Sequence, residues 1–308
     1  MSVARKSVDG FAAGTMFLLC IIWGLQQVVI KLAAPDIAPI MLLALRSLIS
    51  GGLVVLLMRR NGEPVLVRDA TLWPGLLAGA LFGIEFVFLG EALLLTSASH
   101  TAVFLYTAPV FTALGLHLLL PSERLRPLQW AGILLAFAGI ATAFLGGTAA
   151  TASADMLFGD ALAILGGLAW GATTVVVRAT ALSEAPPTRT LLYQLLAGFV
   201  VLLAYAALSG QAGQLRPTPL MWGSLLFNGI VVSFASYLAW FWLLRRYLAS
   251  RLVVFSFMTP IFGVGFGVLL LDEPLTLNFV FGAALVLLGV FLVSATQLFA
   301  RAPKRPRQ

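Results

Sequence analysis

The sequence predicts an all-α polytopic membrane protein of ten transmembrane helices, arranged as two five-helix repeats of opposite orientation. Three observations carry this. The 308 residues are 60% hydrophobic and only 10% charged, with a mean hydropathy of +1.01; soluble domains hold roughly 25% charged residues. Apolar runs of roughly 20 residues, each long enough to cross a bilayer, recur along the whole chain. The chain also repeats itself at about half its length.

The repeat is read from two passages. Thr107-Ala108-Pro109, an apolar run, Glu123-Arg124-Leu125, Gly132 and Gly139 are echoed by Thr259-Pro260, an apolar run, Glu273-Pro274-Leu275, Gly282 and Gly289. Upstream, Trp23-Gly24 and Val28-Val29-Ile30-Lys31 are echoed by Trp170-Gly171 and Val175-Val176-Val177-Arg178. Each unit holds five spans. An odd number turns the second copy upside down in the membrane, which is a transporter architecture with its site between the halves near the midplane.

In order, a tail over 1–10 leads to spans at 11–33, 38–58, 72–95, 99–120 and 127–146, which form the first repeat. A linker over 147–156 follows. The second repeat, 157–299, has spans at 157–180, 188–208, 219–243, 251–271 and 276–299, and a basic tail closes the chain at 300–308. Loops between spans are short and carry the charge. Of the 19 Lys and Arg, all but Lys31, Arg46 and Arg216 fall on one side, with both termini. The positive-inside rule makes that side cytoplasmic.

Other chemistries are excluded or unsupported. The net charge of +7 sits in short clusters between spans, which sets membrane orientation and does not suggest nucleic acid. No Gly-rich loop precedes a lysine, so no phosphate-cradling motif is read. Cys20 is the single cysteine, and with only His100 and His117 no metal cluster or cofactor is expected. No acid or histidine cluster suggests an intramembrane enzyme, and polar rings along a whole pore, which a channel requires, are missing.

Candidate functional residues lie within the spans. Pro109 and Pro260 each remove a backbone hydrogen bond, so each predicts a kink, either static or serving as a hinge or local break that exposes carbonyls to the cavity. Gly79/Gly83, Gly263/Gly267, Gly132/Gly139 and Gly282/Gly289 have spacings suited to close helix approach. Arg46 and Glu85 are both expected roughly 10–12 Å below one face at 1.5 Å rise per residue, which brings an ion pair within reach. Its role is either to line the site or to hold the second helix to the third. Asp160 and Glu91 sit nearer helix ends and are expected to be solvated. Trp23 and Trp170 fall mid-span, where an indole N–H needs a partner. Gln27, Tyr106, Thr173, Ser233, Tyr237 and Trp240 add polar and aromatic surface on the first, fourth, sixth and eighth helices.

Ten spans, two halves, Trp-Gly opening each half and Pro…Glu…Gly across the fourth and fifth helices of each resemble the drug/metabolite transporter superfamily, and within it the EamA-type exporters. The resemblance covers nearly the whole chain. It implies a central cavity between the halves, faced by Trp23 and Trp170, and export of amino acids or other small metabolites by alternating access. A pocket of aromatic walls, a few amides and hydroxyls and one Arg–Glu pair suits neutral or aromatic amino acids. Drugs, purines and sugar-type metabolites are the alternatives within the superfamily. The expected setting is the cytoplasmic (inner) membrane, with the bilayer and a small-molecule substrate as partners, proton coupling at Glu85, and a monomer or homodimer.

Overall fold

The computed structural model describes residues 9–65, 67–121, 124–145, 153–247, 252 and 255–299. They are helical nearly throughout: α1 Gly10–Ala33, α2 Pro39–Arg60, α3 Leu72–Leu95, α4 Ala98–Leu105, α5 Ala108–Leu119, α6 Pro127–Leu145, α7 Ala154–Ala179, α8 Pro187–Leu208, α9 Pro219–Leu226, α10 Tyr237–Arg246, α11 Met258–Leu271 and α12 Leu277–Phe299. Eight stretches are long and apolar enough to cross a bilayer, and α6 and α11 hold two shorter apolar stretches. The expected Glu123 loop lies outside the described residues, as do most of the linker and the chain ends.

Three of the described spans are not continuous α-helix. The fourth is broken between α4 and α5, where Tyr106 and Thr107 form a turn and the Thr107 hydroxyl donates to the Phe104 carbonyl at 2.7 Å. A turn at Phe257 likewise precedes α11. The kinks expected at Pro109 and Pro260 take the form of these turns, two to three residues ahead of each proline. Each proline sits in the first turn of a new helix, where its missing N–H leaves no bond unmade. In the eighth span, α9 and α10 are joined by a ten-residue π-helical segment, Phe227–Ser236.

Glycines set how closely the helices pack. A β-carbon on Gly132 would meet the Gly289 carbonyl oxygen at 2.7 Å, and one on Gly139 would meet that of Gly282 at 2.6 Å. The fifth helix of each half thus crosses its counterpart backbone to backbone. Gly24 gives α1 the same closeness to α11, and Gly171 gives it to α7 against α5.

At one end of the bundle, called here the Asp36 end, the loop after α1 is tied to the loop before α9. Ile37 and Leu215 form an antiparallel bridge, the Arg216 N–H donates to the Asp36 carbonyl at 2.6 Å, and the Thr218 hydroxyl donates to the Asp36 carboxylate at 2.6 Å. At the opposite end, Asp69 accepts from the Thr71 hydroxyl and N–H, and from Arg189 at 2.8 Å. Those bonds, the Thr71 hydroxyl first, hold the Asp69 carboxyl below the usual carboxylate range.

Candidate functional site

The expected site residues gather in three groups in the interior. In the first, the Trp23 indole N–H donates to the Ser236 hydroxyl at 2.8 Å, and its ring meets Trp240 edge-on at 5.9 Å between centroids. The half-buried indole thus finds its polar partner, which is Ser236. In the second, Tyr106 at the α4–α5 break packs edge-on against Trp170 at 5.4 Å. The two tryptophans occupy repeat-related positions but keep different company.

The third group is electrostatic. The Arg46 side chain is completely buried, and its guanidinium carbon lies 4.0 Å from the centroid of the Phe86 ring. None of its three guanidinium nitrogens has a hydrogen-bond partner. Glu85, 5% exposed, and Tyr237 are near enough to act on it electrostatically. The expected Arg46–Glu85 ion pair is not made in contact, because the guanidinium lies over the neighbouring Phe86 ring instead. Such stacking is favourable, yet it satisfies none of the five N–H donors. Tyr237 is also within electrostatic reach of Tyr106, which links this group to the second.

The remaining candidates are placed as follows. Gln27 is buried and its carbonyl oxygen is unpaired; Ser233, on the π-helical segment, is buried with an unpaired hydroxyl. The Thr173 hydroxyl is taken up within its own helix, donating to the Ala169 carbonyl at 2.9 Å. Pro109 and Pro260 flank the two breaks and touch none of the three groups by hydrogen bond or ring contact. Residues not singled out from the sequence contribute as well: Ser236, Phe86, and Ser224 and Asn228, whose side-chain oxygens are buried and unpaired. The Ser50 hydroxyl lies 2.7 Å from both the Arg46 and Gly229 carbonyls, fixing the π-helical segment beside α2. Single polar residues in an apolar run give little sequence signal, and no α-helical period reveals a π-helix.

The expectation of solvated carboxylates is corrected. Asp160 is 2% exposed and accepts from the Thr96 hydroxyl at 2.5 Å, with His100 Nδ1 at 2.8 Å from its other oxygen. Glu91 is half-buried and accepts from the Gln211 amide at 2.6 Å. Both acids are drawn in because partners stand at the ends of their helices: Thr96 and His100, at the α3–α4 junction, for Asp160, and Gln211, ahead of α9, for Glu91.

A bundle of ten spans enclosing aromatic rings and unpaired polar groups is that of a multi-pass membrane transporter. The chain belongs to the EamA-like transporter family, which it matches over residues 10–145 and 157–295. It is similar to the uncharacterized transporter YoaV of Bacillus subtilis (strain 168), 24% identical over 90% of this chain and 94% of that one. It is also 27% identical to a probable amino-acid metabolite efflux pump of Salmonella typhimurium (strain LT2), over 94% of this chain and 95% of the relative. The uncharacterized inner membrane transporter YedA of Escherichia coli (strain K12) is 27% identical over 93% and 94% of the two chains. A solved crystal structure shares the fold with a TM-score of 0.66 at 22% identity, over 96% of this chain and all of that one. The chain is thus a secondary transporter moving a small-molecule substrate across a membrane.

Proposed function

We propose that this transporter exports neutral and aromatic amino acids across the cytoplasmic membrane by alternating access, with both termini in the cytoplasm. The observation that carries the reading is Arg46, a fully buried guanidinium with no hydrogen-bond partner. A charge left so inside a membrane is costly and marks function. A substrate carboxylate would satisfy it with two parallel charge-assisted bonds. Trp23, Trp170, Tyr106, Tyr237 and Trp240 offer rings to an apolar or aromatic side chain. Gln27 and Ser233 offer unpaired oxygens to polar groups, and Glu85 would meet the ammonium or take up a coupling proton. Arg46 as the one cation among these site residues suits a phosphorylated solute poorly. The efflux pump among the relatives is named for amino-acid metabolites, which supports the same class. Pro109 and Pro260, each beside a break, are the proposed hinges.

The test is counterflow in proteoliposomes loaded with unlabelled solute. Saturable uptake of labelled phenylalanine or leucine, competed by several neutral amino acids, is the expected result. Competition by phosphorylated solutes alone would overturn the reading.

A further inference from the structure

The Asp36 end holds a second buried polar cluster, separate from the Arg46 group, in which both halves of the protein meet at the start of α4. Lys31 on α1 donates to the Leu93 carbonyl at 2.9 Å and to the Thr96 carbonyl, both just ahead of α4. Glu273, ahead of α12, accepts from the Ala98 N–H at 2.6 Å, the Ser99 N–H at 2.9 Å and the Ser99 hydroxyl at 2.7 Å. It is turned toward α4 because Asp272 adopts a left-handed conformation with φ 52°, which Asp tolerates better than most residues. Asp160 on α7 takes the Thr96 hydroxyl and His100, and His100 stacks on Phe279 of α12 at 3.9 Å. Lys31 and Glu273 are bonded to the backbone around the start of α4, beside the His100–Asp160 pair.

We propose that the His100–Asp160 pair, braced by Lys31 and Glu273, is the seal that closes the transport path at the Asp36 end. Parting of α4 from Asp160 is the step that opens it. Three features point there. The first is what the contacts join: α4 belongs to the first half, whereas Asp160, Glu273 and Phe279 belong to the second. Alternating access works by moving the halves against each other. The second is mechanical. Helix α4 has only eight residues and is parted from α5 by the Tyr106–Thr107 turn, a point at which its angle to α5 can change. It carries His100 at one end and Tyr106 just past the other. Any swing therefore changes the contact of Tyr106 with Trp170 and couples the seal to the aromatic site. The third is a break in the internal symmetry. Lys31 and Glu273 have repeat counterparts in Arg178 and Glu123, and Ala98-Ser99-His100 is echoed by Ala249-Ser250-Arg251, but the position matching Asp160 is Ala13, so the carboxylate has no counterpart. The pair thus biases one end only. Removing one partner of a buried pair strands the other and weakens closure strongly.

The inference rests on the proposed orientation only for the statement that this end faces outward. Cys20 is the single cysteine, so a Cys20→Ser background carrying Thr101→Cys places one thiol just inside the seal, where Thr101 is fully buried. Reaction with a membrane-impermeant maleimide is followed in intact cells and in inside-out vesicles. Asp160→Asn and His100→Leu should each speed labelling at least tenfold, from one side only. The exchanged pair His100→Asp/Asp160→His should slow it again. Unchanged rates would overturn the seal, as would an equal rise at a cysteine placed at buried Ala136. Should Asp160→Asn fail to fold, Thr96→Val removes one of the two bonds to the carboxylate and is judged by the same criterion. Variant-dependent labelling confined to inside-out vesicles would uphold the seal and overturn the orientation instead.

Discussion

A β-carbon placed on Gly24 would lie 2.9 Å from the carbonyl oxygen of Thr259, so α1 can rest on the first turn of α11 only through a glycine. The repeat-related contact is present too: a β-carbon on Gly171 would lie 3.0 Å from the Ala108 carbonyl, in the first turn of α5. The Trp-Gly pair of each half is thus a tryptophan beside a docking point on a broken helix. Gly24→Val and Gly171→Val should each destabilise the protein by about 1–3 kcal/mol through overpacking. A lowered unfolding temperature in detergent checks this; an unchanged one would refute it.

For Trp23 and Trp170, truncation to Ala removes ring surface facing the interior while leaving the backbone contacts of the adjacent glycines. Both variants should insert normally and transport amino acids more weakly, read as reduced counterflow at equal protein. Parental rates in both would remove the tryptophans from the site.

Arg46→Met keeps much of the side-chain bulk over Phe86 but removes the charge. Losing a charge-assisted bond is worth about 1.5–3 kcal/mol, so amino-acid affinity should fall roughly 10- to 100-fold. Glu85→Gln should flatten the pH dependence of gradient-driven uptake while sparing exchange at equal concentrations. If both variants merely lose folded protein, the two residues are structural.

Orientation is checked with a reporter active only in the cytoplasm. Fusions after Arg124 and after Gln308 should be active, and one after Ala152 silent. Activity after Ala152 would reverse the assignment of the two ends.

At the end opposite Asp36, the Asp69 carboxyl is held low by the Thr71 hydroxyl and N–H and by Arg189. A depressed carboxyl stabilises the fold above its unfolded titration near pH 4. That contribution is lost as pH falls through the folded value. Asp69→Asn should therefore lower thermal stability slightly at neutral pH, and the gap to the parent should close in acid. The exposure of this pair keeps the effect small.

The sequence carried much of this architecture for a physical reason. In a bilayer every backbone group must be satisfied within its own helix, so apolar length maps directly onto spans such as Leu72–Leu95. Repeated Gly132/Gly139 and Gly282/Gly289 likewise announced a close crossing, because only backbone approach requires them. The interior was less legible. Arg46 and Glu85 share a depth, but depth does not say which way a side chain turns, and Arg46 lies over Phe86. Asp160 looked solvated near its helix end, because its partners His100 and Thr96 lie about 60 positions away and no local pattern joins them. The breaks at Tyr106–Thr107 and Phe257 were foreshadowed by Pro109 and Pro260. The π-helical segment had no signal at all.

That segment stores a change of register within one span. Its ten residues bond five positions apart, whereas α9 and α10 on either side bond four apart. A slip of one residue in this bonding register re-phases all that follows by roughly 100°. Tyr237 and Trp240 lie immediately downstream, so a one-residue slip would rotate both rings off the site while Asn228, upstream, keeps its bearing. The eighth span is built like a screw with a slack thread, able to trade one lining for another without leaving the bundle.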